Sequence, residues 1–197
     1  MKKILEINFL KNKIEFLKKQ KKKIVLCHGV FDLIHLGHVK YFEEAKKNGD
    51  ILIVSITENK HVRKGVNRPY FNSQQRAQVI SSLKIVDFVL INDDETSVNV
   101  IQKLKPNFYV KGPDYKNKKL DITKNIYKEI KAAKNVGSKI IYTKTEIYSS
   151  TKLLNNFFAK EEELQNKFIN KVKKNTNSEN IFQHLDNLKN KNILLIG

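Results

Sequence analysis

Short apolar runs that alternate with helical patterns predict an α/β fold: a Rossmann-like parallel five-stranded sheet with helices on both faces. Five runs, KIVLCHG, ILIVSI, VDFVLI, FYVKG and KIIYT, lie between residues 23 and 143. They are continuous rather than polar at every second position, which is how strands buried on both faces read. The stretches between them carry helical periodicity and helix-ending signals. In such sheets ligands bind beyond the carboxyl ends of the strands, so chemistry is expected in the loops that follow these runs.

The elements follow in order. In KILEINFLKNKIEFLKKQ, residues 3–20, Ile4, Ile7, Leu10, Ile14 and Leu17 recur every three or four residues with lysines on the other face, the stripe of an amphipathic leader helix. KIVLCHG reads as a buried strand ending in glycine, and HVKYFEEAKKNG, from His38, as a helix stopped by Gly49. ILIVSI, residues 51–56, is the second strand. A loop from Thr57 to Asn72 leads to Ser73, a residue type that caps the helix SQQRAQVISSL. The strand VDFVLI, a helix from Ser97 to Leu104, the strand FYVKG, a helix from Thr123 to Val136, the strand KIIYT and a helix starting near Ser149 complete the alternation. From Ala159 to Lys191 the chain turns to Lys, Asn, Glu and Gln with sparse apolar residues, the composition of a helical or loose linker. NILLIG then reads either as the first strand of a further domain or as an added edge strand. The expected division is a leader over 1–22, an α/β domain over 23–158, a linker over 159–191 and a strand at 192–197.

A chain of 197 residues holds one ordinary domain and an extension. With 40% hydrophobic and 29% charged residues, neither a disordered nor a fibrous chain is indicated. The formal charge of +18 suggests a polyanionic partner. However, Arg63, Arg68 and Arg76 are the only arginines, and the lysines are spread along the chain: residues 1–23 carry +7, residues 24–159 carry +9 and the tail +2. Only the leader is locally dense, which argues against a nucleic-acid-binding module, since that needs basic residues gathered on one face with aromatic residues to stack bases. The single cysteine, Cys27, excludes an internal disulfide and suits a reducing cytoplasm. No apolar run approaches the roughly 18 residues of a membrane span, and the Lys-rich start lacks the apolar stretch of a signal peptide. A cytoplasmic protein without a membrane partner is expected.

The densest chemistry lies where the first strand gives way to the first helix of the alternation, in HGVFDLIHLGH, residues 28–38. His35 and His38 flank Gly37 at a helix N-terminus. Free N–H groups and the helix dipole favour an anion there, Gly37 lets a phosphate approach the backbone, and two imidazoles offer hydrogen bonds. That combination suits a nucleoside triphosphate. A zinc site would need further ligands that the neighbourhood does not supply. Asp32 is a candidate for a sugar hydroxyl or for orienting the site. His28, which ends the strand, fits nucleotide contact and simple packing equally.

GVFDLIHLGH resembles the GxFDxxHxGH signature of the cytidylyltransferase-like nucleotidyltransferases. GDILIVSIT resembles that family's second strand, KGVNRPYFNSQQRAQVISSLKIVDFVL its loop and following helix, and YSSTKLL its Ser/Thr-rich phosphate motif, so the likeness spans residues 23–157. KPNFYVKGPDY is most similar to the KGGDY segment of heptose 1-phosphate adenylyltransferases, with Pro113 in place of a glycine. The resemblance implies the HxGH nucleotidyltransferase fold and a transfer in which a sugar phosphate attacks the α-phosphorus of a nucleoside triphosphate, ATP favoured, with Mg²⁺ held mainly by substrate phosphates. It implies catalytic roles for His35, His38, Lys64 and Arg76. It implies nucleotide contacts for Gly29, Val30, Phe31, Asp32, Gly37, Lys111, Asp114, Tyr115, Ser149, Ser150 and Thr151, and substrate contacts for Asp32, Arg63 and Arg68. Arginine at 68 and 76, in a lysine-rich chain, fits a bidentate fork for phosphate. The alternative within the family is a CTP-dependent enzyme acting on glycerol or ethanolamine phosphate; KTEIYSST departs from that pattern at Lys144 and Ile147. The resemblance further implies a homodimer, to which the leader helix could contribute, and a fused ribokinase-like sugar kinase to which NILLIG would belong.

Overall fold

The computed structural model describes residues 3–63, 68–116, 125–144 and, further along, 166–172, 174, 183, 186 and 187. The chain forms two compact units, Met1–Ser150 and Thr151–Gly197. The described residues of the second unit are helical. The expected boundary near 158, the helix start near Ser149 and the segment 192–197 lie outside the described residues.

In the first unit, strands β1 (Ile24–Gly29), β2 (Ile51–Thr57), β3 (Phe88–Asn92), β4 (Phe108–Lys111) and β5 (Lys139–Tyr142) form one sheet in the order β3-β2-β1-β4-β5. Every neighbouring pair is parallel. The helices are α1 (Ile7–Lys19), α2 (Leu36–Lys46), α3 (Ser73–Ser82), α4 (Val98–Leu104) and α5 (Asn125–Asn135). Alternate residues of each strand sort into two cores, as the pleat requires. Val25, Cys27, Val54, Ile56 and Val110 pack with Tyr41, Phe42 and Ala45 of α2 and Ala77 and Ile80 of α3. On the other face Ile24, Leu26, Ile53 and Tyr109 pack with Leu10 and Ile14 of α1, Val100, Ile101 and Leu104 of α4, and Ala132 and Ala133 of α5. The strand order reverses between β1 and β4, and that switch point is where the carboxyl ends of the strands leave a crevice.

Several expected element ends shift. The leader begins as extended chain: Val89 donates to the Lys3 carbonyl and Leu5 to the Val89 carbonyl, both at 2.9 Å, so Ile4 bridges the exposed edge of β3 before α1 starts. An open strand edge has unpaired backbone groups, and pairing them outweighs one more helical turn. Helix α2 starts at Leu36 with His35 as its cap. It ends at Lys46 rather than at Gly49. A Cβ on Gly49 would stand 2.8 Å from the Lys23 carbonyl oxygen, so glycine serves there for close approach. Helix α3 is capped by Asn72, whose side chain accepts from Gln75 N while Gln75 Oε1 accepts from Asn72 N; Ser73 instead donates to Glu58.

Leu10 is fully buried on α1, whereas Phe9 is 62% exposed. Leu10→Ala should therefore cost about 3 kcal/mol in urea denaturation, and Phe9→Ala under about 1 kcal/mol. Equal costs would show that the leader is not docked through its Leu10 face.

Candidate active site

Beyond β1 the chain turns sharply through Phe31, a non-glycine residue at φ +49°, in the left-handed region. That conformation costs about 1 kcal/mol or more and persists only where the surroundings enforce it. Here the Phe31 ring is locked against Phe42 (centroids 5.1 Å apart), Tyr41 (6.2 Å) and His38 (5.6 Å, edge-on). The turn delivers His35 to the N-terminus of α2.

The two histidines cap that helix reciprocally. His35 Nδ1 accepts from Gly37 N at 3.1 Å, and His38 Nδ1 accepts from His35 N at 3.4 Å. Their rings lie 4.0 Å apart. A nitrogen that accepts a backbone N–H carries no proton, so each neutral ring keeps its hydrogen on Nε2. Burial lowers the His35 pKa, which favours this neutral form. His35 Nε2 is buried and has no hydrogen-bond partner. A donor of that kind, at a helix N-terminus beside the switch point, is what an anionic ligand would meet.

The arginines and Asp32 behave differently from the sequence expectation. Arg76, 1% exposed, is not a fork for phosphate. Its Nε donates to Phe71 O (2.9 Å), Nη1 to Val30 O (2.6 Å), and Nη2 to Thr57 O (2.9 Å) and Asn59 Oδ1 (2.7 Å). Four of its five N–H groups are thus committed to the protein, and this also accounts for Val30, which serves through its carbonyl. Both oxygens of Asp32 accept backbone N–H groups, from Tyr70 at 2.9 Å and Phe71 at 3.0 Å, so it orients the loop rather than presenting itself to a sugar. Arg68 Nη1 stands 3.3 Å from Asp32 Oδ2 but makes no hydrogen bond there, and remains a buried donor beside the turn. Arg63 is exposed and pairs with Glu95 at 3.5 Å, in the loop after β3 and away from the β1/β4 switch point.

Lys111, at the end of β4, also departs from expectation. Its Nζ binds Glu129 Oε2 at 2.9 Å within the buried layer on the α4 and α5 side. Glu129 further accepts from the Tyr109 hydroxyl at 2.8 Å and from Ser97 N at 3.1 Å. Burial penalises the Lys111 ammonium, but the oxygens of Tyr109, Glu129 and Tyr115 outweigh that and hold its pKa above the ordinary lysine value. Burial likewise works to raise the Glu129 carboxyl, yet the Lys111 ammonium and the hydrogen bonds from Lys111 and Ser97 hold it at about 2. The ammonium also lies 4.2 Å from the Tyr115 ring centre, while Asp114 is exposed in the turn Pro113–Lys116. His28 belongs to the same layer: Nδ1 is 3.0 Å from Ser55 Oγ and Nε2 3.4 Å from Thr57 Oγ1. Burial pushes its pKa down to about 4.

Lys64, Ser149, Ser150 and Thr151 lie outside the described residues. Of the expected residues, Gly29, Val30, Phe31, Asp32, His35, Gly37, His38 and Arg68 come together around the turn after β1. Glu129 was missed, although a signal was present: with Ile126, Ile130 and Ala133 it occupies the buried stripe of α5, where a carboxylate requires a partner. Among the described residues no group of three or more His, Cys, Asp or Glu side chains is arranged to hold a metal ion, and no helix is long and apolar enough to cross a membrane.

A family model described as cytidylyltransferase-like matches residues 26–156. Curated relatives include the bifunctional protein HldE of Campylobacter jejuni (strain RM1221), 46% identical over 114 residues, or 55% of this chain and 25% of that one. The bifunctional protein HldE of Aliarcobacter butzleri is 42% identical over 120 residues, 60% of this chain and 25% of that one. The matched stretch thus spans about a quarter of these relatives. Among solved structures, the lipopolysaccharide core biosynthesis protein from Thermoplasma volcanium is similar at a TM-score of 0.52 and 28% identity, covering 64% of this chain and 99% of that one. Pantoate-beta-alanine ligase from Francisella tularensis, at 0.50 and 20% identity over 71% of this chain and 66% of that one, shares the fold.

Arg76→Lys should lower stability by about 3 kcal/mol in urea denaturation, because one ammonium cannot reach carbonyls of three separate segments. A loss under about 1 kcal/mol would remove its structural role. The unfolded His28 ring titrates near 6.5 and the folded one at about 4. Between those values the unfolded chain binds more protons, so stability falls as pH falls. A loss of roughly 2 to 3 kcal/mol is expected from pH 7 to pH 4.5. Most of that slope should vanish in His28→Asn; an unchanged slope would mean that the ring titrates normally.

Proposed function

The chain belongs to the cytidylyltransferase-like family, and on that premise we propose that it transfers a nucleotidyl group from ATP to a sugar 1-phosphate, with heptose 1-phosphate favoured, releasing pyrophosphate. The observation that carries the proposal is the unpartnered His35 Nε2–H at the N-terminus of α2. Resemblance of KGPDY to the KGGDY of heptose 1-phosphate adenylyltransferases favours ATP and heptose over CTP and an alcohol phosphate. The likeness to a lipopolysaccharide core biosynthesis protein fits a sugar substrate.

In this reaction a phosphate oxygen of the sugar phosphate forms a bond to the α-phosphorus while the bond from that phosphorus to the bridging oxygen of the leaving pyrophosphate breaks. The nucleophile is already an anion, so alignment and charge neutralisation matter more than a general base. The N-terminal N–H groups of α2 and His35 Nε2–H would neutralise charge on the phosphates, with His38 fixing the cap that aims His35. Arg68 would turn from Asp32 towards the sugar phosphate. Lys64, Ser149, Ser150 and Thr151 would complete the phosphate contacts. The imidazole, guanidinium and hydroxyl groups here suit anions rather than a hard cation, so Mg²⁺ would arrive bound to the triphosphate as part of the substrate. A kinase that phosphorylates the sugar is the class of reaction that must precede this step, and the name "bifunctional" of the relatives fits such a coupling.

His35→Asn tests the assignment cleanly, because asparagine keeps a cap acceptor for Gly37 N but lacks the Nε2 donor. With Mg²⁺, ATP and heptose 1-phosphate, pyrophosphate release should fall by about 100-fold or more, with the urea midpoint close to that of the unaltered protein. Activity within a few-fold would overturn the role of His35. Release only with CTP and an alcohol phosphate would replace the substrates.

A further inference from the structure

On α1, Leu10 and Ile14 are buried, whereas Phe9 and Phe16 are 62% and 60% exposed. Seven residues, two helical turns, separate the two rings, so they rise from the same side of the helix about 10.5 Å apart. Single exposed apolar side chains are ordinary, but two large rings in one row form a ridge. Between them lie Asn12, which is exposed, and Lys13, whose ammonium sits over the Phe88 ring, 5.3 Å from its centre. Glu6 stands at the start of the ridge, and Lys19 and Gln20, both exposed, lie beside Phe16. Glu15 is on the other flank, where it pairs with Lys11 at 3.8 Å.

Residues 1–23 carry +7, and their lysines divide by role. Lys3 and Lys18 donate to carbonyls at the ends of α3 and α4, at Leu83, Leu104 and Lys105. Lys19, Lys21, Lys22 and Lys23 are exposed at the C-terminal end of the ridge, with Asp50 beside Lys22 at 4.0 Å. The chain turns there through Lys21 at φ +60°, a conformation that ordinarily selects glycine after a helix. Lys21 N donates to Lys18 O at 2.8 Å and Lys22 N to Leu17 O at 3.1 Å, so the ammonium groups spring from a fixed turn. Cations held beside exposed rings match an anionic bilayer, whose headgroup phosphates meet lysines while the rings enter the acyl boundary. A nucleic acid is better served by cations interleaved with rings along its path. Here the rings form one row and the cations gather at its end, which favours the lipid surface.

We propose that the α1 ridge of Phe9 and Phe16, with the lysine turn of residues 19–23, docks the protein on anionic membrane surfaces. The lack of a spanning run, on which the expectation of no membrane partner rests, does not bear on surface docking. Lys23 directly precedes β1, so the cationic end lies at the amino ends of the strands, opposite the carboxyl ends where the candidate site opens. Docking therefore leaves that site open to water, and it stands independently of the nucleotidyl-transfer reading.

The test is co-sedimentation of the 197-residue chain with vesicles of phosphatidylcholine, alone or with about one third phosphatidylglycerol. At about 50 mM salt the anionic vesicles should bind at least about tenfold more tightly than the neutral ones, and the difference should collapse at about 500 mM. Phe9→Ser combined with Phe16→Ser should weaken binding to anionic vesicles by about tenfold or more, with the urea midpoint unchanged because both rings are exposed. Lys21→Gly should weaken it about three- to fivefold while the urea midpoint stays equal or rises, since glycine accepts that backbone conformation. A merely structural role for Lys21 would not move the two readouts apart. No binding to anionic vesicles, equal binding to both kinds, or unchanged binding in the double phenylalanine variant overturns the proposal. A smaller solution mass for that variant than for the unaltered protein overturns it by assigning the ridge to a second copy of the chain. Binding of a single-stranded RNA oligonucleotide that this variant loses, without binding to either vesicle, overturns it in favour of nucleic acid.

Discussion

The guanidinium of Arg76 is the constraint on which the site side of this protein depends. From the first turn of α3 it gathers the carbonyls of Val30, Thr57 and Phe71 and the side chain of Asn59. These belong to the turn after β1, the end of β2 and the approach to α3, so the guanidinium ties the loop after β1 to both ends of the connection from β2 to α3. Loops of this kind expose backbone groups that no ladder satisfies. A planar cation with fixed donors satisfies several at once. Asp32 completes the arrangement from the acceptor side by taking the N–H groups of Tyr70 and Phe71. The strained Phe31 lies between these anchors, and its conformation aims the chain at the N-terminus of α2.

The sheet divides its polar residues between its two faces. On the α1, α4 and α5 side, the Lys111–Glu129 pair with Tyr109, Ser97 and His28 forms a closed layer in which hydrogen bonds satisfy the charges. Breaking such a pair leaves an unpaired buried charge, so the layer holds β4, α4 and α5 in register. Elsewhere, His35 Nε2, Thr143 Oγ1 and Arg68 Nη1 are buried without a hydrogen-bond partner, Arg68 standing 3.3 Å from Asp32 Oδ2. One face is satisfied within the protein, whereas buried polar atoms around the turn into α2 are not, a contrast that does not depend on the charge of +18. Among the described residues the lysines are mostly exposed, where ion pairs such as Lys60–Asp93 and Lys11–Glu15 contribute little to stability.

Much of the fold was legible because its signals are local. Five apolar runs became five parallel strands, and the spacing of Leu10 and Ile14 marked the docked face of α1. The departures occur where a distant partner competes with a local preference. Residues 3–5 pair with the edge of β3 because that edge is open. Ser73 gives the cap to Asn72 and turns to Glu58. Within the candidate site, the strand end and the helix N-terminus flanked by two histidines were readable in HGVFDLIHLGH because they lie within eleven residues. Arg76, Asp32 and Lys111 were expected to meet ligands, and the structure instead gives each of them buried protein partners, since a charged side chain is free for a ligand only if no such partner claims it first.

The sequence by itself determined the α/β class, the parallel strands, the two histidines at the helix N-terminus after β1, and family membership. These depend on periodicity, on glycine and histidine at fixed offsets, and on residue types that few folds require together. Only the tertiary structure decided which cations are available to a ligand and which are committed to carbonyls or to Glu129. The reason is that hydrogen-bond satisfaction is a property of the whole neighbourhood: partners of Arg76 lie up to 46 residues away and those of Lys111 lie 18 away, separations over which a linear pattern carries no information about contact.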